Sequence, residues 1–600
     1  MIPSFSGRFR CTGEPASPED GARATNAMED ERLTLSVDAP ALRTRWLRTG
    51  SRLLLILGEG PRGITENGPL DALADDLARD ASAALNRLSD PFVLVYADSD
   101  ACTCLLSTDR VGTRAPCYAR TDAGIAFGLR TLDVERALQA KPDLDIQSVY
   151  DYLYFHVIPA PATILRNVSR LLPGHLVLAD PQGVRTAAWW TPRYESHGSI
   201  EFKAAREELR ERLRAAVSRY GEGQATGAYL SGGTDSSTIA GMLSRLSTTP
   251  VRTYSIGFDV AGYDEIGYAK IAAQHFGTQH CIRYVTPSDV LASVEVIGSG
   301  YDQPFGNSSA AAAYVCAQVA AADGMTTLLG GDGGDEIFGG NTRYAKQLVF
   351  GAYGQLPTAL RSRVLEPLFL ARGVREAPMI RKLSRYIEQA RVRMPDRLET
   401  WNLLERIGAR TMLTDPVLDA VDTAGPLRLQ RDWYDRCEDS ELVNRMLHFD
   451  WKFTLSDNDL PKVVGTADLA GVNVGFPLLD PDLVAFANGL PAHWKVRPSG
   501  LRWFFKRALA DFLPTAVLRK KKHGFGLPFG DWVVTDPRLQ RLARGSLEAL
   551  RDRGLLRSRF LDDLLDPRLR EHAGYFGELV WILMMLEIWL AAHRPAHRFG

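Results

Sequence analysis

The stretch GAYLSGGTDSSTIAGMLSRL, Gly227 to Leu246, decides how this chain is read. Tyr229 and Leu230 close an apolar strand and Ser231 to Ser237 form a glycine-rich turn. Ile239, Met242, Leu243 and Leu246 then recur at the i, i+3, i+4, i+7 spacing of a helix face. Gly232 and Gly233 let the backbone come close to an anion, the hydroxyls of Ser231, Ser236 and Ser237 supply donors, and the helix N-terminus adds partial positive charge. Such a turn is built for a polyphosphate. It is not a Walker loop, because GxxxxGK[ST] is absent, and it is not a dinucleotide fingerprint, because GxGxxG is absent.

Further along, Met325 to Leu329 reads as a buried strand running into GGDGGDEIFGG, Gly330 to Gly340. Asp332, Asp335 and Glu336 then sit among glycines at the C-terminal end of a strand, where open α/β sheets bind ligands. Acids beside a polyphosphate repel it unless a cation intervenes, so this spacing calls for Mg²⁺ bridging carboxylates and phosphates.

Outward from these two loops, the texture from Gly227 is strand, glycine loop, helix, strand, the sequence form of a parallel α/β sheet. Glu201 to Arg219 reads as a charged amphipathic helix and Ala345 to Met446 as mostly helical, while residues 191–203 read as a linker. Residues 31–190 hold short apolar runs, Arg52 to Leu57, Phe92 to Ala97, Cys104 to Ser107 and Ile125 to Leu129, with helical spacing over Leu70 to Leu88. That pattern predicts a layered α+β domain. Residues 1–30 mix Ser, Pro, Gly, Glu and Asp, lack the apolar core of a signal peptide, and read as a partly disordered leader, with Met28 as an alternative start.

Composition sets the bounds. Six hundred residues imply about three or four domains, or two large ones. An apolar fraction of 45% with 24% charged residues is ordinary globular composition, against broad disorder or a fibrous fold. A net charge of −1 gives no footprint for nucleic acid or a membrane surface. Seven cysteines without paired spacing point to a reducing compartment, and Cys102 with Cys104 reads as a pair of structural thiols. The apolar runs Leu53 to Leu57 and Trp581 to Leu590 fall short of the ~20 residues of a bilayer crossing. A cytoplasmic protein with no nucleic-acid or membrane partner is expected, one that could assemble as a homodimer.

SGGxDS between a strand and a helix is similar to the signature of the PP-loop ATP pyrophosphatases, and the chain more widely resembles class B asparagine synthetases. RTYSIGFDVAGYDEIGYAKIAAQHFGTQH (Arg252 to His280), DQPFGNSSA (Asp302 to Ala310), GFPLLDPDLVAFANGLP (Gly475 to Pro491), KKKHGFGLPFGDW (Lys520 to Trp532) and the terminal LVWILMMLEIWL carry that likeness. Upstream, DPFVLVYAD, DRVGTRAPCY and YFHVIPAPATILRNVSRLLPGH resemble the family's glutaminase domain. The resemblance implies an α+β layered sandwich of the Ntn-hydrolase type over 31–190. A PP-loop synthetase domain with an α/β parallel sheet and helical additions would follow over 204–600.

By the same resemblance, ATP and Mg²⁺ are required. The Ser231 to Ser237 loop would hold pyrophosphate, Leu230, Ile256 and Gly331 would surround the nucleotide, and Asp235 and Asp335 would bind the metal. Asp332 would be the general base, and Lys522 would stabilise adenylation. The substrates implied are a carboxylate, aspartate by default, and ammonia or another amine. Intact Asp235, Asp335 and Lys522 speak against a non-catalytic nucleotide-binding partner protein, the remaining alternative.

Three departures bear on the substrates. Ile2 stands where the family has its nucleophilic cysteine, and recruiting Cys11 instead would require loss of the first ten residues. The run FGLR, Phe127 to Arg130, replaces the family's usual Ala-Ser-Glu after the Phe, and Gly475 replaces an Arg associated with the acid substrate. Glutaminase activity is therefore expected to be lost. A macrolactam or β-lactam-type cyclase, like the lasso-peptide cyclases, is the alternative activity. Among lesser candidates, Tyr344 could join a Tyr-acid pair, His523 could titrate near the site, and Trp189 and Trp190 are expected at an interdomain contact.

Overall fold

The computed structural model describes the chain apart from residues 1, 12–26, 30–31, 40–41, 59–69, 196–199, 222–224, 355, 371–380, 401 and 522–525. Two six-stranded antiparallel sheets make up the first domain. One has the order Val168–Arg170, Cys117–Thr121, Gly124–Gly128, Ser4–Arg10, Leu33–Asp38, Ala27–Glu29. The other runs Gly183–Ala188, His175–Asp180, Thr103–Thr108, Phe92–Asp98, Arg52–Gly58, Thr44–Thr49.

Period-two alternation explains the layers. Leu53, Leu55, Leu57, Val93 and Val95 face Phe5, Phe9, Leu35 and Phe127 of the opposite sheet. Leu54, Ile56, Leu94 and Tyr96 point outward instead, under Leu73, Leu77 and Leu85 of the helices Leu70–Arg79 and Ala81–Asn86. Strand Arg52–Gly58 is thus buried on both faces, which is why its sequence is a continuous apolar run rather than an alternating one. The helical stretch expected over Leu70 to Leu88 is broken at Asp80, which caps the second helix by accepting from the Ala83 N–H at 3.0 Å.

One expectation is corrected at once. Residues 1–30 are not wholly a disordered leader: Ser4–Arg10 is a central strand of the first sheet, paired with Leu33–Asp38 on one side and Gly124–Gly128 on the other. Phe5 and Phe9 are 1% and 0% exposed. Seven residues with two aromatics four apart bury a full strand face, a signal hidden by the polar composition around it. A start at Met28 would delete this strand.

Beyond the first domain, helix Phe202–Gly221 leads into a five-stranded, wholly parallel sheet. Its order is Gln279–Val285, Arg252–Phe258, Thr226–Tyr229, Thr327–Leu329, Asn473–Gly475. The chain winds one way from Thr226–Tyr229 through two strands and then returns to its other side. The topological switch point therefore lies between Thr226–Tyr229 and Thr327–Leu329, where ligands bind open α/β sheets.

Both domains contribute to one hydrophobic cluster. Helix Ala573–His593 inserts Trp581, Leu583, Met584 and Trp589 against Val149, Tyr152 and Ile164 of the first domain, and the Tyr152 hydroxyl donates to the Ile582 carbonyl at 2.8 Å. At 21 residues this helix is longer than the sequence reading allowed and is apolar enough to cross a membrane, but 67% of its apolar window is buried inside the fold. Burial on all sides explains why it is apolar on all sides. Polar ties across the same interface include Arg114 to Asp468 at 2.6 and 2.8 Å and the Thr131 N–H to Asp302 at 2.6 Å. Trp190 meets Trp451 at 5.7 Å between ring centroids, while Trp189 stacks on Phe92 within its own domain.

Phe9→Ala is expected to lower the stability of the first domain by about 3–5 kcal/mol. The change should appear as an earlier thermal transition of the full chain, and an unmoved transition would mean that this strand is not part of the core.

Candidate active site

At the switch point the two glycine loops face each other across a cavity of about 910 Å³. Ser231, Gly233, Asp235 and Ser236 line it from the loop after Thr226–Tyr229, and Gly331, Asp332, Asp335 and Glu336 from the loop after Thr327–Leu329. Ile256 lines it too, and buried Leu230 is fixed by its N–H donating to the Tyr254 carbonyl at 2.8 Å.

Glycine is required where the loops close on each other. Gly232 has φ +68° and its backbone lies against Tyr268 and Ala269. A Cβ at Gly331 would sit 2.7 Å from the Ser236 nitrogen, and one at Gly334 would sit 2.6 Å from Asp235 Cγ. The Ser231 and Ser236 hydroxyls are 2.9 Å apart and hold the turn. Ser237 departs from its expected role: it is fully buried and does not line the cavity.

Asp235 and Asp335 converge on a residue that the sequence reading missed. Arg502, 6% exposed, donates from Nη2 to Asp235 at 2.5 Å and also to Asp335, and from Nη1 to Thr234 at 2.5 Å. Burial works against its charge, but the two carboxylates outweigh it and hold the guanidinium above its ordinary pKa. Arg502 lies more than 160 residues from either acid, next to a small hairpin of Val496–Arg497 and Gly500–Leu501, and no local spacing announces it.

Asp332 lies in the same cavity, its carboxyl pushed up to about 6 by burial, with Lys462 pulling the other way. Lys462 donates to Asp459 at 2.7 Å. Burial opposes its charge as well, but Asp459 and Asp332 hold it above its usual value. A carboxylate titrating near 6 beside a fixed cation can accept a proton and steady developing negative charge. Lys520 also lines the cavity, donating to the Ser231 carbonyl at 3.1 Å and to Glu265 at 3.0 Å.

The expected catalytic Lys522 and the lesser candidate His523 lie outside the described residues. Tyr344 does pair with an acid, its hydroxyl donating to Asp450, but it is fully buried and absent from the cavity lining. At Gly475 a Cβ would meet the Tyr220 ring at 2.5 Å, so an aromatic ring fills the space that a side chain there would need.

A chain of hydrogen bonds runs behind the glycine turn, from Leu230 across the two neighbouring strands. Ser255 Oγ donates to the Leu230 carbonyl and lies 2.6 Å from His280 Nε2. The carbonyl can only accept, so the serine proton is committed to it and the bond to the ring requires Nε2–H as donor.

Residues 208–591 match the asparagine synthase family, and residues 72–190 match the glutamine amidotransferase domain. A putative glutamine-hydrolysing asparagine synthetase of Mycobacterium bovis is 26% identical over 462 residues, covering 75% of this chain and 68% of that protein. Glutamine-hydrolysing asparagine synthetase 1 of Bacillus subtilis is 21% identical, covering 74% and 69%. A putative glutamine-hydrolysing asparagine synthetase 2 of Methanocaldococcus jannaschii is 30% identical over 268 residues, covering 42% and 50%.

Ser255→Ala removes the donor that fixes the Leu230 carbonyl, a loss of about 1 kcal/mol. It is expected to raise the KM for ATP by about fivefold with little change in kcat, measured in steady-state turnover with ATP as the varied substrate.

Proposed function

The chain belongs to the asparagine synthase family and is a carbon–nitrogen ligase, and on that premise we propose that it activates a carboxylate as an acyl-adenylate for attack by ammonia or another amine. A carboxylate at neutral pH is a poor electrophile, and transfer of AMP from ATP, with pyrophosphate leaving, makes it a good one. The observation that carries the reading is the meeting of Asp235, Asp335 and Asp332, from two glycine loops, in one cavity at the switch point of a parallel sheet.

In this reading the Ser231 to Ser236 turn and the N-terminus of helix Thr234–Leu246 receive the pyrophosphate, with Lys520 fixing the turn from outside. Asp235 and Asp335 offer two hard oxygen donors whose charge already attracts a cation, a set that suits Mg²⁺ completed by phosphate oxygens and water. The ion would neutralise charge on the departing pyrophosphate. Asp332 takes the proton of the attacking amine, and Lys462 steadies the negative charge that grows as the tetrahedral centre forms.

Glutamine is not the nitrogen source in this proposal. Ile2 and Pro3 line a cavity of about 150 Å³ between the domains, alongside Leu129 and Arg130. Cys11 and Cys117 are both buried, with thiols pushed up by burial to about 11 and about 12, which leaves little thiolate for attack at neutral pH. Aspartate with ammonia is the default pair. The ring of Tyr220 against Gly475 favours a second reading, a dedicated acid substrate whose own amine closes the amide, as in a macrolactam or β-lactam-type cyclase.

Pyrophosphate release from ATP and Mg²⁺ with aspartate and ammonium, but not with aspartate and glutamine, is the expected result, and Asp235→Ala should abolish it. Turnover with glutamine would overturn the loss of glutaminase. Folded, ATP-binding protein inert toward aspartate would move the substrate to the second reading.

Asp332 must be ionised to act as base, so kcat/KM is expected to fall as pH drops through about 6. Asp332→Asn should lower kcat by about 10²–10⁴-fold and remove that limb from the residual activity.

A further inference from the structure

Arg502 is held in an unusual way for a residue that only packs. Its backbone is left-handed, with φ +52° and ψ 40°, a conformation costing a non-glycine residue about 1 kcal/mol or more. The Arg502 N–H donates to the Gly339 carbonyl at 3.2 Å. Gly340 leaves room for the guanidinium on that side, since a Cβ there would collide with both Arg502 Nε and the Asp335 carboxylate. The side chain therefore reaches Asp235, Asp335 and Thr234 together.

Two features of this contact point beyond it. The guanidinium stands against the same two carboxylates that suit a divalent cation, and two cations cannot share them at close range without strong repulsion in so buried a place. Meanwhile Arg502 Nε is buried and has no acceptor among the described residues. An orphaned donor on a guanidinium whose Nη1 already reaches Thr234, at the end of the glycine turn, is matched by an anionic oxygen that arrives with a ligand.

We infer that Arg502 is the resident counter-cation of the Asp235–Asp335 pair and competes with the divalent metal for it, so that metal binds tightly only together with a polyphosphate. Phosphate oxygens give the guanidinium, Nε included, acceptors to replace the carboxylates it gives up. Metal and nucleotide then enter as one charge-balanced unit, and free metal is kept off the acids. The inference rests on the proposed reading of Asp235 and Asp335 as metal ligands.

The test is Mn²⁺ binding to the full chain, followed by electron paramagnetic resonance of the free ion, with and without inorganic pyrophosphate. For the unaltered protein, pyrophosphate is expected to tighten Mn²⁺ binding at least tenfold. Arg502→Met should bind Mn²⁺ without pyrophosphate at least tenfold more tightly than the unaltered protein, and adding Asp335→Asn to it should abolish that gain.

If pyrophosphate brings Mn²⁺ to the unaltered protein but Arg502→Met binds it no better alone, the competition is overturned and the metal reading stands. If neither protein takes up Mn²⁺ under any condition, the metal reading falls and the inference with it. Arg502→Gln, which removes the charge but keeps hydrogen-bond donors, should bind Mn²⁺ without pyrophosphate more tightly than the unaltered protein. Should Arg502→Met fail to fold, a glutamine variant no tighter than the unaltered protein overturns the competition.

Discussion

Two carboxylates that would repel each other are held against one buried guanidinium, and the arrangement of the synthetase domain serves that contact. Asp235 and Asp335 sit in the first turns of helices that follow neighbouring strands, so a single switch in strand order sets their separation. Gly331 and Gly334 remove the side chains that would keep the loops apart. Arg502 arrives from a segment that pairs with neither loop in a sheet. A buried charge is tolerable only when it is paired, so none of the three can be removed without leaving the others exposed to the cost of desolvation.

The relation between the domains follows a different logic. The first domain shares a core with the synthetase domain and is tied to it by Arg114–Asp468 and Thr131–Asp302. Both Asp302 and Asp468 lie in segments that also border the cavity between the domains, at Ile2. The sheet pair acts as a wall against which the synthetase domain is built.

Much of the site was legible because it is local. Strand, glycine turn and helix follow one another within twenty residues around Ser231, and Gly330 to Gly340 carries its acids in one run, so residue type and spacing suffice. Arg502 and Lys462 were not legible, since each is an ordinary basic residue in its own segment and becomes notable only when tertiary packing brings it to Asp335 or Asp332. Strand Ser4–Arg10 was missed for the opposite reason: its alternation is real but sits in a polar stretch whose composition outweighed it. Ser237 shows the limit of motif reading, because the helix rotates its hydroxyl away from the cavity that its neighbour Ser236 lines.

The shared core also sets a schedule for the newly made chain. Helix Ile146–Phe155 is synthesised early, but the helix that covers it, Ala573–His593, begins about 420 residues later. At roughly 5–20 residues per second that is a wait of about 20–80 s. Throughout it, Val149, Tyr152 and Leu153 lack the partners that bury them in the finished protein. The first domain's two sheets can close on each other during that interval, but helix Ile146–Phe155 cannot complete its packing. On the ribosome this protein carries an unfinished apolar face until its far end emerges, and that face is where a chaperone would have to stand guard.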